Sequence, residues 1–245
     1  MTQTERYDHP ENRTVLEAYG ELLAVIDSWY AGAATAYPEH VRCGKGCSGC
    51  CRGLFDITLL DAALLQYGFA RLPESVRCTV LVKAKQRLEQ LQRRWPELSP
   101  PFILNLRPET EWEELMPDDD ETPCPLLDDN GHCLVYAYRP MTCRLHGMPL
   151  IDRSGEVMHD EWCTENFTTV NPLQLPSLSA PFADIFRQEG ALDRRFSHEV
   201  LGHAVSELDT FIPLALLYDI TLFDWKLWWQ NNHAALIAAC SDTMR

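Results

Sequence analysis

The chain has 245 residues, and its 46% hydrophobic content is enough to build a buried core, which argues against a disordered protein. With 36 acidic against 21 basic residues, its formal net charge is −15, and such a field repels phosphate, so we expect no nucleic-acid partner. The longest apolar run, Phe211 to Tyr218, falls short of the ~20 residues of a membrane helix and contains Pro213, so we expect no membrane association.

Three helices are predicted in the first hundred residues. The first ends before Pro38. Its apolar residues recur at helical spacing and are Val15, Tyr19, Leu22, Ile26, Trp29 and Ala33. The second begins after Thr58, an N-cap residue with Asp61 three positions later, and ends at Gly68. The third covers residues 73–95. Its apolar stripe consists of Leu81, Ala84, Leu88, Leu91 and Trp95.

The middle of the chain is predicted to be irregular, with short hairpins. Residues 96–123 lack apolar periodicity and accumulate acid, so we interpret them as a solvated linker. Their acidic residues are Glu109, Glu111, Glu113, Glu114, Asp118, Asp119, Asp120 and Glu121. One hairpin is predicted around Asn130-Gly131 and another around residues 153–155. Between them, a helical turn that starts at Pro140 carries Cys143.

Helices return in the C-terminal part. We expect one helix at residues 182–188, a second at about residues 193–208, and a break or kink at Pro213. The last helix contains three tryptophans at intervals typical of a buried face, which favours core packing over ligand stacking. These are Trp225, Trp228 and Trp229.

We therefore predict a mainly α protein, a helical single domain with one or two small β-hairpins that organise a Cys-rich metal site. The domain would cover residues 13–245 after a polar tail at 1–12, and its metal-binding core would lie at 40–165. The first ten residues lack the apolar segment of a secretory signal, so the expected location is the cytoplasm.

The ten cysteines are the most informative residues. In a reducing compartment, thiolate ligands are favoured over disulfides. Two cysteines are isolated, and we interpret Cys78, on the face of Leu81, and Cys240 as small buried hydrophobes. The other eight fall into two runs. The first run is Cys43, Cys47, Cys50 and Cys51, and the second is Cys124, Cys133, Cys143 and Cys163.

The first run has the composition of a sulfur-binding loop. It contains three glycines, whose backbone N–H groups can approach sulfur closely. The basic residues Arg42, Lys45 and Arg52 would offset thiolate charge and lower the thiol pKa values. In the second run, the Asn130-Gly131 hairpin would place Cys124 near Cys133. Three histidines adjacent to cysteines are weaker ligand candidates. They are His132, His146 and His159.

The order of these motifs resembles a known family. The motifs are the cluster at 43–51, Cys124-Pro125-Leu126, Cys133-Leu134-Val135-Tyr136 and Arg139-Pro140 with Cys143-Arg144. Together they resemble the YkgJ-like cysteine-cluster family, also called the zinc- or iron-chelating CxxCxxCC domain. Here three residues separate the first two cysteines, one more than in that pattern. The resemblance extends to flagellin lysine N-methylases, which implies an iron–sulfur site that works with S-adenosylmethionine.

Four thiolates suit both a zinc ion and an iron–sulfur cluster. The tight glycine-rich spacing and Cys124-Pro125 favour a cluster of the 4Fe–4S type. Eight thiols suffice for two four-ligand sites, or for one cluster plus a zinc ion. We expect all eight to be ligands in a metal-binding protein that acts through its metal or through a protein partner. The alternative is an S-adenosylmethionine-dependent enzyme that modifies a protein substrate, as the methylase resemblance implies.

Overall fold

The computed structural model describes residues 10–44, 46–117 and 119–243, and the described chain is mainly helical, as predicted. Its α-helices are α1 (Pro10–Ala36), α2 (Leu59–Phe69), α3 (Glu74–Gln92), α4 (Glu109–Glu113), α5 (Met141–Leu145), α6 (Phe182–Leu201), α7 (Ile212–Ala215) and α8 (Trp225–Thr243). Its strands are β1 (Asp56–Thr58), β2 (Leu150–Asp152), β3 (Val157–His159), β4 (Ser179–Ala180) and β5 (Asp209–Phe211). Residues 1–9, Lys45, Asp118 and the side chain of Cys240 lie outside the described residues.

The main core forms where α1 packs against α6. Tyr19 and Ile26 on α1 are fully buried, and Trp29 meets Phe182 of α6 edge to face at 4.9 Å. Trp225 and Trp228 of α8 are buried in the same cluster, which confirms their predicted packing role. Within the described residues, no helix is both long enough and apolar enough to cross a membrane.

The predicted N-terminal cap of α2 is confirmed, but its predicted end is wrong. The Thr58 hydroxyl accepts a hydrogen bond from the Asp61 N–H at 3.1 Å. Gly68, however, lies inside the helix, which continues to Phe69. A Cβ on Gly68 would come within 2.5 Å of the Tyr138 ring, so the glycine permits close packing and does not end the helix.

Cys78 is exposed, so the prediction that it is buried is wrong. On α3 the buried face contains Val80, Ala84 and Leu91, whereas Leu81 is only half-buried. Because the helix turns about 100° per residue, Cys78 lies far from Val80 around the axis. The apolar stripe therefore forms, but Val80 takes the buried position that was predicted for the next residue, Leu81.

Residues 96–123 are more ordered than the predicted linker. They contain α4 and a short 3-10 helix, and they contribute a second core cluster with Leu98, Phe102 and Trp112. Most of the acidic side chains are exposed as predicted, but Asp120 is largely buried in an ion pair with Arg87. Buried aromatic residues at irregular intervals give no periodic signal, and this explains the failed prediction.

The region predicted as two helices after Pro181 is one continuous helix, α6. Gly190 does not interrupt it. The helix ends at Gly202, which adopts a left-handed conformation with φ of 80° and suits a C-terminal glycine. The predicted break at Pro213 is confirmed, since Pro213 lies in the first turn of the short helix α7.

The β content is small and local, as predicted. Strands β2 and β3 form the predicted antiparallel hairpin, and β4 joins β2 in parallel. Strands β1 and β5 pair antiparallel elsewhere. The predicted Asn130-Gly131 turn also forms, although its arms are joined by a single bridge between Leu127 and Cys133.

Candidate metal centre

Two tight turns shape the first cysteine run. The Cys47 N–H donates to the Gly44 carbonyl at 3.0 Å, and the Cys51 N–H donates to the Ser48 carbonyl at 3.0 Å. Gly46 adopts a φ of 87°, which favours glycine. The turns leave Cys47 exposed and Cys43, Cys50 and Cys51 half-buried.

The second cysteine run docks directly on the first. The Cys124 N–H donates to the Cys51 carbonyl at 2.9 Å, and the backbones of Arg52 and Pro123 form an isolated antiparallel β-bridge. The Asn130-Gly131 turn also packs closely against the first cysteine run. A Cβ on Gly131 would lie 2.9 Å from the Ser48 hydroxyl, so this contact requires glycine. The fold therefore brings together two segments that are about seventy residues apart in sequence.

Three thiols lie near Cys143 on helix α5. Burial raises the pKa of Cys143 well above its usual value, and Cys124, the Asp61 carboxylate, Cys133 and Cys50 raise it further. Burial also raises the pKa of Cys124 to about 12 and increases the pKa of Cys133. These four residues form the Cys143 group. Its thiols interact electrostatically across a buried space and stay protonated without a cation between them.

A second pair of cysteines lies beside the side chain of Asn166, which is 1% exposed. Its amide donates to Cys43 Sγ at 3.3 Å and to the Gly147 carbonyl at 2.8 Å. Cys43 and Cys163 are neighbours here, because a Cβ on Gly147 would be 3.6–3.7 Å from atoms of both. We call Cys43, Cys163 and Asn166 the Asn166 group.

The cations nearest the thiols differ from the expected ones. Arg52 is paired with Glu121 at 3.6 Å, and Lys45 is not described. Instead, the Lys83 ammonium lowers the pKa of Cys124, and the Arg139 guanidinium lowers the pKa of Cys133, although burial outweighs both effects. Asn166 and Lys83 have no local signal in the sequence, because each is distant from the thiol it affects. Arg139 belongs to the Arg139-Pro140 motif of the family resemblance, but the motif assigns it no role toward the thiols.

The three histidines have different surroundings. His132 lies next to the first cysteine run, since its Nε2 would be 3.5 Å from a Cβ on Gly46, and its Nδ1 lies 3.4 Å from Asp128. His146 and His159 instead line a separate cavity on the other side of α5. Of the three histidines, the contacts of the described residues therefore place only His132 beside the thiols.

No closed ligand cage is formed in this structure. Across residues 10–44, 46–117 and 119–243, no group of three or more His, Cys, Asp or Glu side chains is placed to hold a single metal ion. Cys124, Cys133 and Cys143 lie together, as do Cys43 and Cys163. Cys50 is near members of both sets, because it hydrogen-bonds to Cys51 and raises the pKa of both Cys143 and Tyr30, the hydrogen-bond partner of Cys43. Cys47 lies at the surface. The donor chemistry nevertheless fits a soft metal, since the Cys143 group consists of thiols that lose their protons when a metal binds.

Comparison with known proteins identifies the family. A family model described as "CxxCxxCC: Putative zinc- or iron-chelating domain" matches residues 42–164, which is half of the chain. The chain belongs to this family. The matched region includes all eight clustered cysteines, so metal binding is the property that the family assignment supports. No curated protein and no solved structure matches the chain.

Proposed function

We propose that this member of the zinc- or iron-chelating family holds an iron–sulfur cluster, with Cys50, Cys124, Cys133 and Cys143 as its ligands. The observation that carries the proposal is that Cys124, Cys133 and Cys143 pack against the same core cluster, with Cys50 near enough to raise the pKa of Cys143. These four thiols come from three segments of the chain. They provide the number of sulfur ligands that a 4Fe–4S cluster uses.

The spacing of the thiols favours a cluster over zinc. A zinc ion draws four sulfurs to about 2.3 Å from one point, whereas a cluster binds each sulfur to a separate iron atom. The tight glycine-rich spacing of residues 43–51 and the Cys124-Pro125 pair are typical of the cysteine runs that bind such clusters, and this supports the proposal. Such a cluster, when bound, supplies one-electron transfer.

The other four clustered cysteines are proposed as ligands of a second site. Cys43 and Cys163 lie together in the Asn166 group, and the exposed Cys47 and the half-buried Cys51 belong to the same glycine-rich loop as Cys43. The nine cysteines whose side chains are described are free thiols. This supports the proposal that the protein works in a reducing compartment such as the cytoplasm.

The test is an elemental count on protein purified without oxygen. Iron, zinc and acid-labile sulfide are measured on one sample, together with its visible absorption spectrum. We expect near-equal iron and sulfide with a broad charge-transfer band. A colourless protein that contains zinc and no sulfide would overturn the cluster and leave zinc as the family metal.

The alternative is an S-adenosylmethionine-dependent enzyme, which neither the family assignment nor a contact of the described residues favours. Calorimetric titration of the metal-loaded protein with S-adenosylmethionine would reveal such a function if binding were observed.

A further inference from the structure

Helix α5 has a second cavity on the side away from the thiols. It has a volume of about 410 Å³, within the range of small-molecule sites. Part of its wall is apolar and includes Ile57, Leu145 and Phe186. His159 and Met158 are exposed, so the cavity opens to solvent at strand β3.

Four carboxylates line this cavity, and they come from four separate elements. They are Asp56 on β1, Asp61 on α2, Glu189 on α6 and Asp209 on β5. No lysine or arginine lines the wall, and none of the four forms an ion pair within the described part of the chain. Negative charge in a partly buried site without a cation is costly, because desolvation and mutual repulsion act together.

Asp61 shows that the wall presents an unused acceptor. The residue is only 3% exposed. Its Oδ1 accepts hydrogen bonds from the Tyr19 hydroxyl at 2.8 Å and from the Met141 N–H at 3.1 Å. No hydrogen bond to Oδ2 of this cavity-lining side chain is formed within the described residues, so this oxygen is open to a donor in the cavity.

The carboxylates are arranged as two pairs. Glu189 interacts electrostatically with Asp61, and the hydroxyl of Tyr19 lies between them at 2.8 Å from Asp61 and 3.5 Å from Glu189. Asp56 and Asp209 form the other pair on the adjacent strands β1 and β5. Each pair can therefore hold one positive charge, and the apolar wall can contact an aliphatic chain between the charges.

We propose that this cavity binds a small aliphatic diamine, with one ammonium group at Asp61 and Glu189 and the other at Asp56 and Asp209. A metal ion fits less well, because no three of the described acidic or histidine side chains converge on one point. An ammonium group donates up to three hydrogen bonds and needs no fixed coordination geometry. The site is distinct from the proposed cluster, since none of its ligands is a cysteine, although Asp61 lies near enough to Cys143 to raise its pKa.

The experiment is calorimetric titration of the purified full-length protein with putrescine, butylamine and butanediol. These compounds have the same four-carbon chain and carry two, one and no positive charges. We expect putrescine to bind at least about tenfold more tightly than butylamine, and butanediol not to bind at millimolar concentration.

Two variants each remove one carboxylate from a different pair. Glu189→Gln and Asp209→Asn should each weaken putrescine binding by about tenfold and bring it close to that of butylamine. The control is Asp184→Asn, which removes an exposed carboxylate from the same helix as Glu189 outside the cavity wall. It should bind putrescine as the unchanged protein does. Circular dichroism checks that all three variants are folded.

The proposal is overturned if putrescine does not bind, if butanediol binds equally well, or if both cavity variants keep the original affinity. It is also overturned if magnesium binds in the cavity, is displaced by neither amine and is lost in the variants. Metal content is measured on the same samples. The cluster and the diamine site can then fail independently of each other.

Discussion

The two sides of helix α5 differ in the acidic groups that lie beside them, which are thiols on one side and carboxyl groups on the other. On one side, Cys143 meets other thiols, which are neutral at pH 7 because burial raises their pKa values. On the other side, Asp61 and its neighbours line the cavity as carboxyl groups, and burial raises the pKa of Asp61 only to about 7 and that of Glu189 to about 8, so that they begin to ionise near neutral pH. Protonated thiols are neutral, so they carry no electrostatic penalty before a metal binds. Carboxylates repel one another as soon as they ionise, so their cluster carries a larger energetic penalty when no cation is bound.

The largest effect is expected from removing the central thiol. Cys143→Ser should abolish most of the iron binding and lower the thermal midpoint by about 10 °C, since the stabilisation from a bound metal is lost. Iron content and melting of anaerobically prepared protein measure this effect. The matched control is Cys78→Ser, an exposed thiol far from both cysteine runs, which should change neither quantity. Equal iron in both variants would remove Cys143 from the ligand set.

A smaller effect is expected in the Asn166 group. Asn166→Ala removes the amide that binds the Arg42 N–H, the Gly147 carbonyl and Cys43 Sγ. Loss of these buried hydrogen bonds should cost about 2–3 kcal/mol of unfolding free energy. If the two thiol neighbourhoods are separate sites, the visible spectrum of the cluster should persist while any second metal is lost. A spectrum that disappears would show that they form one site.

The contact between the two cysteine runs can be tested at a glycine. Gly131→Ala places a Cβ 2.9 Å from the Ser48 hydroxyl at a residue with φ of 77°. Gly155→Ala has a similar φ of 89° but open space around the new Cβ. Both substitutions carry the cost of about 1 kcal/mol for a left-handed alanine. Only Gly131→Ala should also reduce iron content, and equal iron in the two variants would contradict the importance of this contact.

The thiol side of α5 could be predicted from the sequence far better than the carboxylate side. Cys50 and Cys51 lie in one loop, and Cys124 and Cys133 flank one turn, so short-range spacing reveals them. Asp61 and Glu189 are 128 positions apart and are brought together only by the packing of α2 on α6. No local pattern distinguishes them from solvated acidic residues.

The fold shows the same division between local and long-range signals. The Thr58 cap and the break at Pro213 follow from local stereochemistry, and both predictions are confirmed. The order in residues 96–123 comes from tertiary contacts such as that between Trp112 and Phe211. Their rings are 6.5 Å apart, although the two residues are distant in sequence. Sequence patterns do not reveal such contacts before the tertiary structure is known.

The smallest effect, a dependence of stability on pH, distinguishes the two sides most directly. Burial, together with the negative charges of Asp61 and Asp193, raises the pKa of Glu189 to about 8, although the hydrogen bond from Tyr19 opposes this. The folded protein therefore keeps a proton on Glu189 that the unfolded chain releases near pH 4. The contribution of Glu189 to stability is then fully present below about pH 4 and is lost as the pH rises towards 8.

Glu189→Gln should remove part of this loss, because glutamine stays neutral and its amide oxygen can still accept from the Tyr19 hydroxyl. In amine-free buffer, the variant should melt a few degrees higher than the unchanged protein at pH 8, with a smaller difference at pH 5. Asp61, Asp193 and Asp209 are present in both proteins, so the difference between their melting curves reports Glu189 and its coupling to Asp61 and Asp193. Curves that stay parallel across this range would mean that Glu189 ionises as an ordinary surface carboxylate, and would contradict the raised pKa that burial gives it in the cavity.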